Sequence, residues 1–180
     1  GARSSTIYGG DGNDLLDKGN GAQLWDATLD GGSGDDTVSY DQFSSDLDIN
    51  LTSNSATDTI FTDVLNDIEN VIAGGGNDSI TGTASDNIIE GGLGADSIDG
   101  IAGNNTASYK NSINFISVDT DANTISGGAG SDAVGDMLTN IQNIIGSDYD
   151  DVIYGDNNNN RFDGNNGDDI LYGGDGSDTL

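Results

Sequence analysis

Residues 73–108 read AGGGNDSIT, GTASDNIIE, GGLGADSID and GIAGNNTAS, four units of nine residues joined without a gap. The eighth column holds Ile80, Ile89, Ile98 and Ala107, and the sixth holds Asp78, Asn87, Asp96 and Asn105. A second unbroken run, 146–180, keeps both columns, with Ile153, Phe162, Leu171 and Leu180 at eight and Asp151, Asn160, Asp169 and Asp178 at six. The clean form of the unit, Gly-Gly-x-Gly-x-Asp-x-U-x with U large and apolar, stands at 9–17, 31–39 and 91–99, and 173–180 holds most of another. Self-similarity at a short fixed period marks a solenoid, because one such unit cannot bury a core alone and must stack on its neighbours.

The unit divides into six turn residues and three strand residues. Its glycines permit left-handed backbone angles, and its apolar eighth residue sits in a very short strand. Two units make a coil of 18 residues with strands on opposite walls, so units n and n+2 stack at about 4.8 Å. Ile80 is expected over Ile98, with Ile89 facing them. A longer repeat overlies the short one: TVSY at 37–40 matches TASY at 106–109, and DIENVIA at 67–73 matches NIQNIIG at 140–146. The expected organisation is 1–30 as the end of a preceding block plus linker, 31–99 as one module, and 100–180 as a second copy, or one continuous solenoid. GGAGSDAVG at 127–135 fits the unit, but its counterpart at 54–62 does not, and it is read as a loop. The spacers 40–72 and 109–145 are undetermined, although DLDINL at 46–51 alternates like a strand.

The chain of 180 residues carries 29 Gly, 30 Asp and 21 Asn, with only Glu69 and Glu90 as glutamates, which disfavours long helices. Net charge is −28. Two lysines and two arginines cannot displace phosphate counterions, so nucleic acid is excluded as a partner, and attachment to an anionic membrane fails likewise. There is no Cys for a disulfide or zinc thiolate and no His for a general base. No apolar stretch is long enough to span a membrane. The natural partner of so much carboxylate is a cation.

Stacking brings Asp78 to Asp96 and Asp151 to Asp169. Two such carboxylates repel or raise a pKa unless a cation joins them. With backbone carbonyls from glycine-rich turns they make a hard, all-oxygen site suited to Ca²⁺ rather than Zn²⁺. In these phased units the sequence resembles the RTX, or hemolysin-type, calcium-binding nonapeptide family, which implies an all-β, right-handed parallel β-roll, a β-solenoid of GGxGxDxUx repeats with inserted spacers. The resemblance implies ligands from carbonyls two and four and the Asp of one unit, and from carbonyls one and three and the Asp of the unit 18 residues on. Carried over, one site uses Gly74, Gly76 and Asp78 with Gly91, Leu93 and Asp96. Its counterpart uses Ser147, Tyr149 and Asp151 with Gly164, Asn166 and Asp169. A third uses Asp156, Asn158 and Asn160 with Gly173, Asp175 and Asp178, weakened by its amide. A fourth pairs Gly10, Gly12 and Asp14 with Gly31, Ser33 and Asp36 at a spacing of 22, which requires a bulge near Trp25. Asn87 and Asn105 offer no sixth-position charge, so that pairing is expected to be weak or empty, and Asp11, Asp35, Asp150 and Asp168 are expected to stay solvated.

The resemblance further implies type I secretion, folding on Ca²⁺ outside the cell, and a spacer or scaffold role in a larger extracellular protein. The chain, which begins and stops within repeats, is expected to be a monomeric, non-enzymatic fragment of it. The alternative is a carbohydrate-binding module whose partner is extracellular polysaccharide, since Tyr154 and Tyr172 lie 18 apart and should stack on one outer face. Tyr40 and Tyr109 match between the modules and are expected to close a coil.

Overall fold

The computed structural model describes residues 5–19 and 25–180, and no helix forms among them. β1 (Ser5–Asp11), β2 (Leu15–Asp17), β3 (Ala27–Ser33) and β4 (Thr37–Ser39) alternate between two walls. A first spacer adds β5 (Asp48–Asn50), β6 (Ser55–Thr57) and β7 (Thr62–Asn66). The alternation resumes through β8 (Asn70–Ile72), β9 (Ser79–Thr81), β10 (Ile88–Glu90), β11 (Ser97–Asp99) and β12 (Thr106–Ser108). A second spacer adds β13 (Ile116–Asp119), β14 (Thr124–Gly127) and β15 (Met137–Thr139). β16 (Asn143–Ile145), β17 (Val152–Tyr154), β18 (Phe162–Asp163) and β19 (Ile170–Tyr172) complete the described strands.

One wall is a seven-stranded sheet in the order β18-β16-β12-β10-β8-β4-β2, with every pairing parallel. This ladder crosses both spacers without a break. The other wall is interrupted. Its eight-stranded sheet runs β1-β3-β7-β6-β5-β9-β11-β15, and a separate four-stranded sheet runs β14-β13-β17-β19. Each spacer thus places three strands on one wall where a plain coil places one, with the middle strand antiparallel. The strand-like alternation at 46–51 becomes β5, while the return strand β6 has no nonapeptide signal. Unit 127–135 forms no strand of its own beyond the end of β14, and its eighth residue, Val134, is exposed.

The core is a file of eighth-position side chains. Ile80 pairs in register with Ile98, and Leu16, Val38, Val71, Ile89, Ala107, Ile144 and Phe162 line the opposite wall, all buried. Spacer residues Ile49, Leu65, Val118 and Leu138 continue the file. Ile7 pairs with Leu29 and Leu16 with Val38, so the 22-residue spacing is kept on both walls. The four extra residues fall between β2 and β3, and positions 20–24 there, part of the expected bulge, lie outside the described residues, as do 1–4 of the first expected segment.

Candidate metal centre

The turns form two edges of the solenoid, and the sixth-position side chains run along them. The Asp78 N–H donates to Asp96 Oδ1 at 2.8 Å, and the Asp151 N–H to Asp169 Oδ1 at 2.9 Å. Asp14 N–H reaches Asp36 Oδ1 at 2.8 Å, and Asn160 N–H reaches Asp178 Oδ1 at 3.0 Å. All four proposed ligand pairs are therefore stacked turn on turn. In every one of these acids except Asp78, whose turn begins with Ala73, the second oxygen folds back over the first residue of its own turn. A Cβ on Gly9, Gly31, Gly91, Gly164 or Gly173 would collide with it, which is why those positions are glycine.

The Oδ2 atoms of Asp14, Asp36 and Asp96 are buried and have no hydrogen-bond partner. A buried carboxylate oxygen without a partner is costly, and a cation removes the cost. Carbonyls of each lower turn point up at the turn above it, and that of Gly74 accepts the Leu93 N–H at 2.9 Å. Gly92 and Gly94, at φ 86° and 146°, rest on the carbonyl oxygens of Gly74 and Gly76, where any side chain would collide. Gly32 and Gly34 stand likewise on Gly10 and Gly12, and Gly174 and Gly176 on Asp156 and Asn158. Leu93 and Tyr149 are about half exposed, so only their carbonyls are available to a site. Ser33 and Asp175 are exposed, and the Ser33 carbonyl accepts from the Gly12 N–H at 2.7 Å. Asn166 Nδ2 donates to Asp148 Oδ1 at 2.9 Å. Among the described residues no three carboxylates converge on one point. The donor set is thus two carboxylates plus carbonyls, all hard oxygens, which suits calcium.

The pairs are not equivalent. Burial, reinforced by Asp136, Asp78 and Asp132, pushes Asp96 up to about 8 despite the Asp78 N–H. Asp78 and Asp151 are also raised by burial. Asp151, however, already accepts from the Ile116 N–H and the Ser147 hydroxyl at 2.8 Å and from the Ser147 N–H at 2.6 Å. At the amide positions a side-chain nitrogen stands in for one carboxylate oxygen, the inner one at Asn105 and the one facing the stacked turn at Asn87 and Asn160. Asn87 Nδ2 donates to the Glu69 carbonyl at 2.6 Å, and Asn160 Nδ2 to that of Gln142 at 2.7 Å. Asn105 Nδ2 donates to the Gly100, Ala102 and Asn140 carbonyls, each at 3.0 Å. These turns are closed by their own amides.

Two features lie beyond the sequence reading. Column five stitches the turns in the reverse direction: the Ala95 N–H donates to Asn77 Oδ1 at 2.9 Å, and the Asp168 N–H to Asp150 Oδ1 at 2.9 Å. The run of Asn13, Asp35, Asn77, Asp86, Asn104, Asp150 and Asn159 in that column was the available signal. Asp11, Asp35, Asp150 and Asp168 are all exposed. The second feature is Asp136, which joins the acidic edge by accepting from the Asp96 N–H at 2.9 Å. Tyr40 and Tyr109 are buried and donate to Asp63 and Asp136 at 3.0 and 3.1 Å. Tyr154 and Tyr172 pair in register with centroids 6.2 Å apart, but their planes are tilted by 54° rather than stacked.

A family model described as "RTX calcium-binding nonapeptide repeat (4 copies)" matches residues 1–22, 28–44, 72–107, 111–134 and 145–180. No curated protein matches the chain.

Proposed function

This chain belongs to the RTX calcium-binding nonapeptide repeat family, a calcium-binding structural repeat, and from that premise we propose that it folds on calcium after secretion and serves as a spacer and folding scaffold of an extracellular protein. The observation that carries the reading is the set of buried, partnerless oxygens on Asp14, Asp36 and Asp96, each on a turn stacked against another acid. Asp78 and Asp96, with carbonyls of Gly74, Gly76, Gly91 and Leu93, would hold one ion. Asp14 and Asp36 with Gly10, Gly12, Gly31 and Ser33 would hold another. Asp151 and Asp169, with Ser147, Tyr149, Gly164 and Asn166, form a third set. Asp156, Asn158 and Asn160, with Gly173, Asp175 and Asp178, form a weaker fourth.

Bound calcium supplies positive charge to a chain of net charge −28 and ties adjacent coils together. Extracellular calcium modules bind at roughly 10⁻⁴–10⁻³ M. A ligand that binds only the folded state adds about 2.7 kcal/mol per site at a hundredfold excess over Kd. A core of one apolar residue per unit is thin, so a few such terms decide whether the chain folds. The role is structural rather than catalytic, since the best-placed carboxylate pairs are taken up as ligands.

The test is far-UV circular dichroism of chelator-stripped protein during a calcium titration, with magnesium as control. A cooperative coil-to-β transition near millimolar calcium, absent with magnesium, is expected. A fully β-structured apo chain indifferent to calcium would overturn the reading. A second reading, polysaccharide binding, rests on the exposed Tyr154–Tyr172 pair. It requires gel retardation in polysaccharide that is lost in Tyr154→Ala with folding intact.

A further inference from the structure

Each spacer taken with the coil before it, residues 15–66 and 88–139, gives two copies of one arrangement, and these differ in one buried cluster. Lys18, just after β2, reaches Asp63, which immediately precedes Val64 of the β3–β7 pairing; its Nζ lies 2.7 and 2.6 Å from Oδ1 and Oδ2. The Phe61 ring centroid is 3.2 Å from the same Nζ. Asp63 also accepts from the Ala27 N–H at 2.7 Å and the Tyr40 hydroxyl at 3.0 Å. Among the described residues this is the one salt bridge, and both partners are buried.

The second copy repeats the frame. β15 pairs with β11 as β7 pairs with β3. Asp136 accepts from the Asp96 N–H and the Tyr109 hydroxyl, as Asp63 accepts from the Ala27 N–H and the Tyr40 hydroxyl. By this register Asp96 stands where the first copy has Ala27, and Gly91 stands where it has Lys18. Val134 replaces Phe61, and Ser112 replaces Phe43. One cation has gone and one carboxylate has arrived, so the local charge changes from zero to minus two. Asp96 is 1% exposed, and its Oδ2 is among the partnerless oxygens. That oxygen lies over Gly91, on the line that a side chain leaving this position would take, which is the route of Lys18 in the first copy. Asp132, also buried, adds a carboxylate to the same turn.

We propose that calcium bound between Asp96 and Asp136 takes the place of the Lys18 ammonium in the second copy, as a site additional to those between tandem nonapeptide turns. Asp136 lies outside every segment that the family model matches, and its turn, 131–136, lacks the glycine pattern. A divalent ion balances both carboxylates, where the lysine of the first copy balances one. The proposal rests on the calcium-binding reading above.

The test is the number of calcium ions bound per chain at saturation, by equilibrium dialysis and elemental analysis of the whole 180-residue chain. Asp136→Asn should bind one ion fewer than the parent. The exchange pair Lys18→Gly with Ala27→Asp gives the first copy the charge pattern of the second, two carboxylates and no ammonium, and should bind one more. A folded Asp136→Asn chain with the parental count overturns the proposal. Where that variant does not fold in saturating calcium, the exchange pair decides: one ion gained supports the site, and none overturns it. A parent chain that binds no calcium at all would instead remove the reading on which the proposal rests.

Discussion

The two edges of the solenoid use one backbone but close their turns differently. Along the edge entering β9, β11 and β17 the sixth residue is Asp; along the edge entering β10, β12 and β18 it is Asn. In both, the side chain bonds the backbone of the stacked turn: Asp96 and Asn105 accept its N–H through Oδ1, while Asn87 and Asn160 donate to its carbonyl through Nδ2. The difference lies in the amide nitrogen. An amide nitrogen donates to carbonyls and closes the turn unaided, whereas a carboxylate oxygen aimed at the same place can only accept. The amide edge is therefore self-sufficient, and the acidic edge is built for a cation. At its two ends the second edge turns acidic again, with Asp14, Asp36 and Asp178.

The largest expected effect breaks the symmetry outright. Chelation should open the acidic turns before the amide turns, so that hydrogen exchange at Asp78 and Asp96 outruns that at Asn87 and Asn105. Uniform exchange along both edges would show that the edges do not differ in their need for an ion. Next, Asp78→Asn with Asp96→Asn should make the chelated chain more stable by about 1–3 kcal/mol, the cost of buried unsatisfied groups, while lowering the number of bound ions. Asn87→Asp with Asn105→Asp should do the reverse; urea unfolding in chelator measures both.

The acidic edge should also report on pH. Asp96 is held at about 8 and both Asp132 and Asp136 at about 6, against an ordinary value of 3.8. Their folded-state pKa values lie above the unfolded ones, so the ion-free fold binds extra protons between about pH 4 and 8 and loses stability as pH rises through that window. Calcium must displace those protons. Binding should therefore release protons at neutral pH and strengthen up to about pH 8, measurable by calorimetry in buffers of different ionisation enthalpy. Affinity unchanged from pH 5 to 8 would contradict this. The smallest effect tests what the edges share: Asn77→Ala and Asn159→Ala, each removing a fifth-position side-chain bond, should each cost about 1 kcal/mol in calcium-saturated thermal unfolding. Of these, only Asn77 carries a fifth-position bond visible from both sides of its turn, to Ala95 above and Asp46 below.

The coils were legible because columns six and eight keep phase over 18 residues, enough to place Ile80 on Ile98 and Asp78 beside Asp96. The spacers were not. A return strand such as β6 or β14 lets the chain re-enter its wall at any register, so Asp136 meets Asp96 across 40 residues rather than 18. The glycine-rich match at 127–135 is out of step with this re-entry, and its sixth residue, Asp132, is not the one that stacks. The Lys18–Asp63 pair spans 45 residues and two walls, and no local pattern announces it. Burial lowers the pKa of Lys18 and raises that of Asp63, while their contact opposes both shifts.

That either residue can bond the stacked turn has an evolutionary consequence. Asp and Asn codons are separated by a single-base change, and either residue preserves the stitch between coils. An ion can therefore be gained or lost one turn at a time while a bond between coils persists, and the calcium demand of the solenoid becomes a heritable quantity that drifts in small steps.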